Sequence, residues 1–479
     1  MPLPPADSPA LTAVAGRSLR ERRTLRSSST LSIVAASRRQ RRESGLGARE
    51  LAPREGLGAW PMAVGRAGAV DILLAQSAAR LPQLTGIRNG RMAASPWHFY
   101  RGAAAVMAAD LATRPNTGLT VQLCGDAHVL NFGLWATPER RLAFDLRDFD
   151  ETLPGPFEWD VMRLVTSLVI AARYAGRPKT GPKAVAAALR GYRYQLRDYA
   201  RSAELDIWYD LVDVHRLLAV FTEPTARERA SAYIGRQARR RTSRAAFEKL
   251  TELTGGQLRI TENRPFRVHL DDGERAHAVA AFEAYRESLA PAQRHLLDTF
   301  RLVDVVRQVV GVGSVGMRVY LVLLIGGNVG DPLFLQLKQA VPAVYEKYAG
   351  RSSYQNSGQR VVVGKRLIQA ATDMFVGWAQ ADGVHYYARQ FRDMKIVPGA
   401  ELLAPVLVDF ATACGAVLAR AHARTGDPVA IDAYIGKGRA FDTALTAFAH
   451  SYAGQNADDH ARLAAAVAAG VVEAAENPW

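Results

Sequence analysis

Apolar positions along the chain change their spacing twice, which separates helix-rich from strand-rich stretches. Residues 66–82 and 99–113 carry apolar side chains three and four positions apart, a spacing that predicts amphipathic helices. The same spacing recurs from Phe157 to about Leu253, over 274–299, and from Leu402 to Val472. Helices are therefore expected toward both ends of the chain.

Short apolar runs bounded by polar or glycine-rich turns predict strands between those helices. The predicted strands cover 119–124, 141–146, 303–310, 317–325, 333–337 and 385–391, with an extended connector over 258–270 and further helices near 339–349 and 364–378. This order predicts an α+β protein with two lobes. The smaller, β-rich lobe spans 301–398, and the larger, helical lobe is built from 57–300 and 399–479.

The formal net charge of the 479 residues is +15, and part of it lies in residues 1–56. That segment contains eleven arginines, no lysine and five acids. Its composition predicts a disordered basic tail that is dispensable for the fold, although organelle transit peptides have a similar composition. A second basic run, from Arg236 to Arg244, is expected to be a solvated face. Contact of either basic segment with nucleic acid is the less favoured interpretation.

The sequence shows no sign of a membrane partner, because its longest apolar runs fall short of the ~20 residues that a bilayer span requires. The only two cysteines, Cys124 and Cys414, leave no disulfide framework and no multi-cysteine zinc site. Both observations predict a cytoplasmic protein.

Two short motifs carry the candidate chemistry. The segment GDAHVLN (125–131) follows a predicted strand, and Asp148 lies in DFD, seventeen residues beyond Asn131. Phosphoryl transfer needs a carboxylate that deprotonates the acceptor hydroxyl and oxygen ligands that hold Mg²⁺ on the phosphates. Asp126 can supply the carboxylate, and Asn131 and Asp148 can supply metal contacts.

A glycine-rich segment, GVGSVG at 311–316, lies between two predicted strands. That context favours a turn in which Gly311, Gly313, Ser314 and Gly316 fold over nucleotide phosphates. Lys338 ends the next predicted strand, and Glu346 follows eight residues later. The run Leu335–Lys338 resembles the strand of protein kinases whose lysine holds the nucleotide phosphates, which implies that role for Lys338 with Glu346 as its ion-pair partner. The alternative is a glycine turn followed by a solvated lysine.

GDAHVLN resembles the catalytic loop of aminoglycoside and choline phosphotransferases, and DFD resembles their metal-binding hairpin. The resemblance implies a protein-kinase-like fold in which ATP is the phosphoryl donor. It also implies that Asp126 is the catalytic base and that Asn131 and Asp148 are Mg²⁺ ligands.

The same resemblance implies that Asp160, at the start of a helix, and His128 support the catalytic loop. The sequence departs from the pattern at one position, since Cys124 stands where those enzymes have a histidine.

Residues 85–400 also resemble a bacterial family known as domain of unknown function 2252, through GDAHVLNFG, DFDE, GVGSVG, QLK and GQRVV. The kinase-like parts occur in inverted order, because Asp126 and Asp148 precede the glycine-rich segment and Lys338. A circular permutation accounts for this order, since it requires only that the original ends lie close together. The helix over 404–422 would then be the one that leads into the catalytic loop of an unpermuted chain.

Several basic residues and histidines remain open to two interpretations. Arg91, Arg101, Arg360 and Lys365 either contact phosphate or an acidic acceptor, or brace loops. His98 and His128 are either metal ligands or neutral hydrogen-bonded imidazoles, and the second is the commoner case.

The sequence thus predicts an ATP- and Mg²⁺-dependent phosphotransferase whose unknown hydroxyl acceptor is more readily a small molecule than a protein. The alternatives are a non-catalytic nucleotide-binding regulator and a metal-dependent phosphoesterase, which has no use for the glycine-rich segment. The kinase-like hypothesis requires Asp126, Asn131, Asp148 and Lys338 to line one cavity.

Overall fold

Hydrophobic cores of two kinds organise the protein, one among helices and the others on the two faces of a β-sheet. The computed structural model describes residues 36–60, 66–328, 330–399, 403–476 and 479. Within these ranges the chain is a mixed α+β protein, which confirms the predicted class at that level.

Helices precede, interrupt and follow the strands. In chain order the described helices are α1 (Arg38–Leu51), α2 (Ala69–Ser77), α3 (Pro82–Ala93), α4 (Pro96–Gly102), α5 (Ala104–Ala112), α6 (Phe157–Tyr174), α7 (Thr180–Tyr199), α8 (Glu204–Tyr209), α9 (Val214–Ala219), α10 (Pro224–Arg240), α11 (Ser243–Leu250), α12 (Asp272–Glu287), α13 (Pro291–Leu297), α14 (Glu346–Ala349), α15 (Ser357–Ile368), α16 (Leu407–Thr425), α17 (Pro428–Ile435) and α18 (Ala440–Ala468).

The strands pair antiparallel in one large sheet and in smaller two-stranded ribbons. They are β1 (Thr120–Leu123), β2 (Phe132–Ala136), β3 (Leu142–Leu146), β4 (Leu153–Pro156), β5 (Thr251–Thr254), β6 (Gln257–Ile260), β7 (Arg267–His269), β8 (Arg301–Gln308), β9 (Val319–Ile325), β10 (Pro332–Ala340), β11 (Gly377–Ala381) and β12 (Val384–Gln390). The large sheet has the order β11-β12-β10-β9-β8-β7, and the ribbons are β1-β4, β2-β3 and β5-β6.

Strand β9 shows why the large sheet is buried on both faces. Its sequence, VYLVLLI, is apolar at every position, as expected of a strand covered on both sides. Val322 belongs to a hydrophobic cluster with Phe282 of α12, whereas Leu321 and Leu323 belong to another with Leu250 of α11. The sheet therefore lies between these two helices.

Helices α7 and α16 pack closely at the centre of the helical core. A Cβ atom at Gly191 would lie 2.3 Å from the carbonyl oxygen of Thr412, and one at Gly415 would lie 2.0 Å from that of Ala188. The stretch Ala404–Thr425 has the length and hydropathy of a membrane span, the one such helix among the described residues, whereas the apolar runs of the sequence were expected to be too short for one. In the fold, 61% of its apolar window is buried inside the protein.

The expectation of a disordered tail is wrong for residues 38–51, which form α1; residues 1–35 lie outside the described part of the chain. Arg49 donates hydrogen bonds to the carbonyl oxygens of Ala433 and Tyr434, and Arg54 donates to that of Ile435. These arginines therefore satisfy the carbonyl end of α17, where positive charge is favourable. We therefore expect this segment to be required for full stability.

The other differences from the sequence prediction concern element boundaries. The helix expected near 364–378 is α15, which begins earlier because the Asn356 side chain caps it by accepting hydrogen bonds from the N–H groups of Gly358 and Gln359. The helix expected near 339–349 is reduced to α14, since residues 339–340 belong to β10 and residues 341–345 lie outside both elements. The large sheet also takes in β7, which precedes the predicted β-rich segment.

Gly45→Ala should destabilise the protein, whereas Gly47→Ala in the same helix should not. A Cβ atom at Gly45 would lie 1.9 Å from the carbonyl oxygen of Ala430, so α1 would have to move away from α17. A Cβ atom at Gly47 meets no atom within 4 Å, and alanine is favoured over glycine in a helix by about 1 kcal/mol. Thermal unfolding of both variants measures the difference. Equal melting temperatures would show that α1 does not dock on α17.

Candidate active site

A cavity of about 410 Å³ lies where the large sheet meets the loops that follow β1 and β3. The four side chains expected to converge, those of Asp126, Asn131, Asp148 and Lys338, all line it. This prediction of geometry is confirmed, while the chemical roles of the four residues stay predictions.

The loop after β1 is held by a glycine and by a helix-opening carboxylate. Gly125 has a φ of +84°, and a Cβ atom there would lie 2.1 Å from the carbonyl oxygen of Glu151, so the position requires glycine. The Asp160 carboxylate accepts hydrogen bonds from the backbone N–H groups of Cys124 at 2.7 Å and Gly125 at 3.0 Å. Asp160, in the first turn of α6, therefore braces the loop in the way the sequence resemblance implied.

Asp126 is a carboxylate in an unusual environment. Its Oδ1 accepts a hydrogen bond at 2.8 Å from Nε of Arg163, whose side chain is fully buried, and Nε2 of His128 lies 3.8 Å from its Oδ2. Burial raises the pKa of Asp126, although the positive charge of Arg163 opposes the effect. Asp126 is therefore a stronger base than an ordinary aspartate.

The histidines near the motif are neutral. Burial, together with the charges of Arg101 and Arg163, lowers the pKa of His128 well below its ordinary value. His98 shares a hydrogen bond with Oγ of Ser95, and burial lowers its pKa to about 4. No group of three or more His, Cys, Asp or Glu residues that could hold a metal occurs in the described ranges. The commoner interpretation, a neutral imidazole, fits both residues.

Asn131 joins the loop to the chain that follows β3. Its Nδ2 donates hydrogen bonds at 2.9 Å to the carbonyl oxygens of Asp126 and Asp148, and its Oδ1 accepts one at 2.7 Å from the N–H of Asp148. Asn131 is therefore a brace between the two segments, with one acceptor site on Oδ1 left for a metal ion.

Lys338 lies among carboxylates in the wall of the cavity. Its ammonium forms an ion pair with Asp150 and lies 4.0 Å from Oδ1 of Asp148, and its side chain is only 3% exposed. Burial alone would lower the pKa of Lys338, but the two carboxylates raise it above its usual value. Burial would likewise raise the pKa of Asp148, but Lys338 and Arg389 lower it. Asp148 is thus ionised throughout the physiological range.

The expected ion pair between Lys338 and Glu346 is wrong. Glu346 lies 3.6 Å from Nε of Arg360, and Asp150 takes its expected place. Arg360, 2% exposed, donates hydrogen bonds to the carbonyl oxygens of Asp150, Thr152 and Val341, so it braces the end of the DFD segment, and it is not among the residues that line the cavity. Sequence spacing failed here because the short α14 turns Glu346 toward α15 instead of β10.

The glycine-rich segment forms a short 3₁₀ turn and not a plain hairpin. Gly311, Gly313 and Ser314 line the cavity, as expected. Gly316 is not among the lining residues; it has a φ of +91°, and its carbonyl oxygen accepts a hydrogen bond at 2.7 Å from the N–H of Leu81. The turn is therefore fastened to the chain just before α3.

Arg91 and Arg101, both candidates for anion contact in the sequence, occupy different positions. Arg91 donates a hydrogen bond to the carbonyl oxygen of Val310 and lies against the rings of Phe266 and Trp479, so it steadies the glycine-rich turn from outside the cavity. Arg101 lines the cavity, and its Nε has no hydrogen-bond partner among the described residues. Arg101 therefore stays a candidate for anion contact.

Five cationic side chains that line the cavity were not expected there from the sequence, namely those of Arg147, Arg241, Arg389, Arg392 and Lys395. Arg241 belongs to the basic run 236–244, and the expectation of a solvated face is wrong for this residue. Strand register could have found Arg389, because Lys338 pairs with Tyr387 across β10 and β12, and residues two apart on a strand share a face. Lys395 follows the last strand, so no periodic signal places it.

A family model for uncharacterized proteins conserved in bacteria, DUF2252, matches residues 80–466. The match covers most of the chain and includes Asp126, Asp148 and Lys338, and the protein belongs to this family. This confirms the family resemblance seen in the sequence. No curated protein and no solved structure matches the chain.

The stability of Glu151→Gln relative to that of the wild type should increase as the pH rises. Burial raises the pKa of Glu151 to about 7, while its Oε2 accepts a hydrogen bond from Val344 N–H at 2.7 Å. A raised pKa favours the protonated acid in the fold, so this group stabilises below its ordinary pKa of about 4.5 and loses that contribution as the pH rises through 7. Glutamine keeps the acceptor and carries no charge.

Urea unfolding at pH 5 and pH 8 measures this effect as a difference between the variant and the wild type. The Glu151→Gln advantage should grow over this interval by no more than about 3 kcal/mol, since one pKa unit corresponds to about 1.4 kcal/mol. Glu228→Gln, at an exposed position of α10, is the control and should show no such growth. Parallel pH profiles for wild type and Glu151→Gln would contradict the assignment.

Proposed function

We propose that this protein is an ATP- and Mg²⁺-dependent phosphotransferase with a circularly permuted, two-lobed protein-kinase-like fold. The observation that carries the proposal is the meeting of Lys338, Asp148 and Asp126 in one cavity beside the glycine-rich turn. Phosphoryl transfer depends chiefly on positioning and on charge stabilisation, and a buried lysine with carboxylates on neighbouring loops provides both.

The connectivity of the large sheet supports a kinase-like nucleotide lobe. The glycine-rich turn joins β8 to β9, Lys338 lies on the next strand, β10, and α15 precedes β11. Protein kinases carry their glycine-rich loop, their phosphate-binding lysine on the third strand and their αC helix in this same order. In this chain the helix supplies no acid to the lysine, and Asp150 fills that role.

The contact between α16 and β1 supports the permutation. Oγ1 of Thr425, the last residue of α16, accepts a hydrogen bond at 3.1 Å from the N–H of Gln122 in β1. An unpermuted chain would pass from the end of α16 into β1 and then into the Asp126 loop. The two segments are neighbours in space, although 303 residues separate the bonded pair in sequence.

The donor set fits a magnesium ion. Oδ1 of Asp148 is buried with no hydrogen-bond partner among the described residues, and the adjacent carboxylate of Asp150 and amide oxygen of Asn131 are also hard oxygen ligands. Mg²⁺ in nucleotide sites uses one or two carboxylates together with phosphate oxygens, so three or more protein acids are not required. When bound, ATP and Mg²⁺ supply the transferable phosphoryl group and neutralise its charge.

Side chains of the protein would bind the phosphates, accept the proton of the acceptor and position the loop. Lys338 would exchange its contact with Asp150 for the phosphates of the donor. Asp126 would orient the acceptor hydroxyl and accept its proton, and its raised pKa suits a general base. Arg163 and Asp160 hold Asp126 and its loop in place.

Mg-ATP should raise the melting temperature of the wild type, because a ligand that binds only the folded state stabilises it by RT ln(1 + [L]/Kd). Lys338→Met and Asp148→Asn should bind Mg-ATP at least about tenfold more weakly, a loss of about 1.4 kcal/mol. Lys347→Met, which removes an exposed lysine outside the cavity, is the matched control and should respond as the wild type does.

Asp126→Asn should separate binding from chemistry. It should keep the Mg-ATP response but lose transfer of labelled γ-phosphate to small molecules of a bacterial extract or to water, because the base acts on the acceptor. A wild type without stabilisation at ATP well above ~1 mM would remove the nucleotide hypothesis. Stabilisation without any transfer would favour the non-catalytic regulator.

A further inference from the structure

A cluster of cations surrounds a small recess beside the main cavity. Arg147 follows β3, Lys365 lies on α15, Arg389 lies on β12, and Lys395 lies beyond that strand. The recess measures about 40 Å³ and shares Arg147, Arg389 and Lys395 with the walls of the main cavity. Cations from four separate segments are therefore held around one small space.

These cations have few partners. No hydrogen bond or ion pair joins the ammonium of Lys365 or Lys395 to any residue in the described ranges, although Lys365 is only 9% exposed. Arg147 donates to the carbonyl oxygen of Leu130, and its Nε is buried without a partner. Arg389 donates only to the neutral side-chain oxygen of Gln336. Such an arrangement is costly in the absence of an anion.

Two acids, Asp373 and Asp393, border the recess, and only Asp393 forms an ion pair with a described residue. Asp373 accepts hydrogen bonds from the N–H groups of Phe375 and Gln390, and Asp393 pairs with Arg140. Burial and the charge of Arg389 lower the pKa of Lys365 to about 8, with Asp373 opposing the effect. Burial would lower the pKa of Arg389, but Tyr387 and the carboxylates of Asp148, Asp150 and Asp373 raise it. The four cations nevertheless form no ion pair with a carboxylate in the described part of the chain.

We propose that the recess is an anion-binding subsite of the main cavity, taking a phosphate or carboxylate group of a small-molecule ligand. The group would lie between Lys365, Lys395 and the guanidinium groups of Arg147 and Arg389. The recess includes none of Asp126, Lys338 and the glycine-rich turn, so this anionic group is additional to the phosphates assigned to Lys338. The inference rests on the proposed function only in treating this ligand as a substrate of the same cavity.

Thermal-shift titrations at pH 7 and constant ionic strength test the subsite, with inorganic tripolyphosphate as the phosphate probe and citrate as the carboxylate probe. At least one probe should stabilise the wild type, and Lys365→Met and Lys395→Met should each weaken its apparent affinity at least tenfold. Lys347→Met, an exposed lysine outside both spaces, should match the wild type. Stabilisation by tripolyphosphate alone would assign a phosphate group, and by citrate alone a carboxylate group.

A second readout distinguishes a ligand site from a structural cluster. Without any probe, Lys365→Met should melt a few degrees higher than the wild type, because it removes a buried charge that lacks a partner. A structural lysine would give a lower melting temperature. Equal probe affinity in the wild type and both cluster variants, or stabilisation that chloride reproduces, would overturn the proposal.

The titration with the anion probe and the titration with Mg-ATP test different sites, so variants distinguish their results. Lys338→Met should lose the Mg-ATP response and keep the response to the probe, whereas Lys395→Met should lose the probe response. A wild type that binds the probe but not Mg-ATP would overturn the proposed function and leave the anion subsite standing.

Discussion

The ion pair of Lys338 with the carboxylates of the DFD segment is the contact on which the candidate site depends. The lysine comes from the large sheet and its partner Asp150 from the loop after β3, 188 residues away in sequence. An ammonium that is 3% exposed would be strongly destabilising without a carboxylate beside it. The pairing therefore constrains the sheet and the loops to meet at the cavity, and Arg360 of α15 holds the loop by donating to the carbonyl oxygens of Asp150 and Thr152.

That pairing also leaves the cavity electrostatically unbalanced. Lys338 lies beside Asp148 and Asp150, and Arg163 pairs with Asp126. The other acid that lines the cavity, Glu151, is buried, and burial raises its pKa to about 7. The remaining cations around the cavity then lack carboxylate partners in the described part of the chain. Buried cations without a paired carboxylate lower the free energy of unfolding. Proteins keep such groups mainly at functional sites, where a bound ligand offsets the loss. The charge excess and the two proposed ligand sites thus have one physical origin.

Local sequence was informative wherever a residue's role depends on its immediate neighbours. The apolar run of β9 predicts a buried strand, and the Gly125–Asn131 motif predicts a tight loop after a strand. Both predictions depend only on residues that lie within a few positions of each other in sequence. The same reasoning failed for Glu346, whose partner depends on how α14 and α15 approach each other. It also failed for α1, since arginines that satisfy the end of a distant helix have the composition of a solvated tail.

The sequence by itself determined the mixed α+β class, the family, many of the helices, half of the strands, and four of the side chains that line the cavity, those of Asp126, Asn131, Asp148 and Lys338. These follow from periodicity, turn chemistry and motif spacing, which act over a few residues. Only the tertiary structure decided that Asp150 pairs with Lys338, that Asn131 and Arg360 brace loops, and that Lys365 and Lys395 face a common recess. Partners of this kind are chosen among groups far apart in sequence. The free energy of burying each charge depends on which other charges the fold brings beside it.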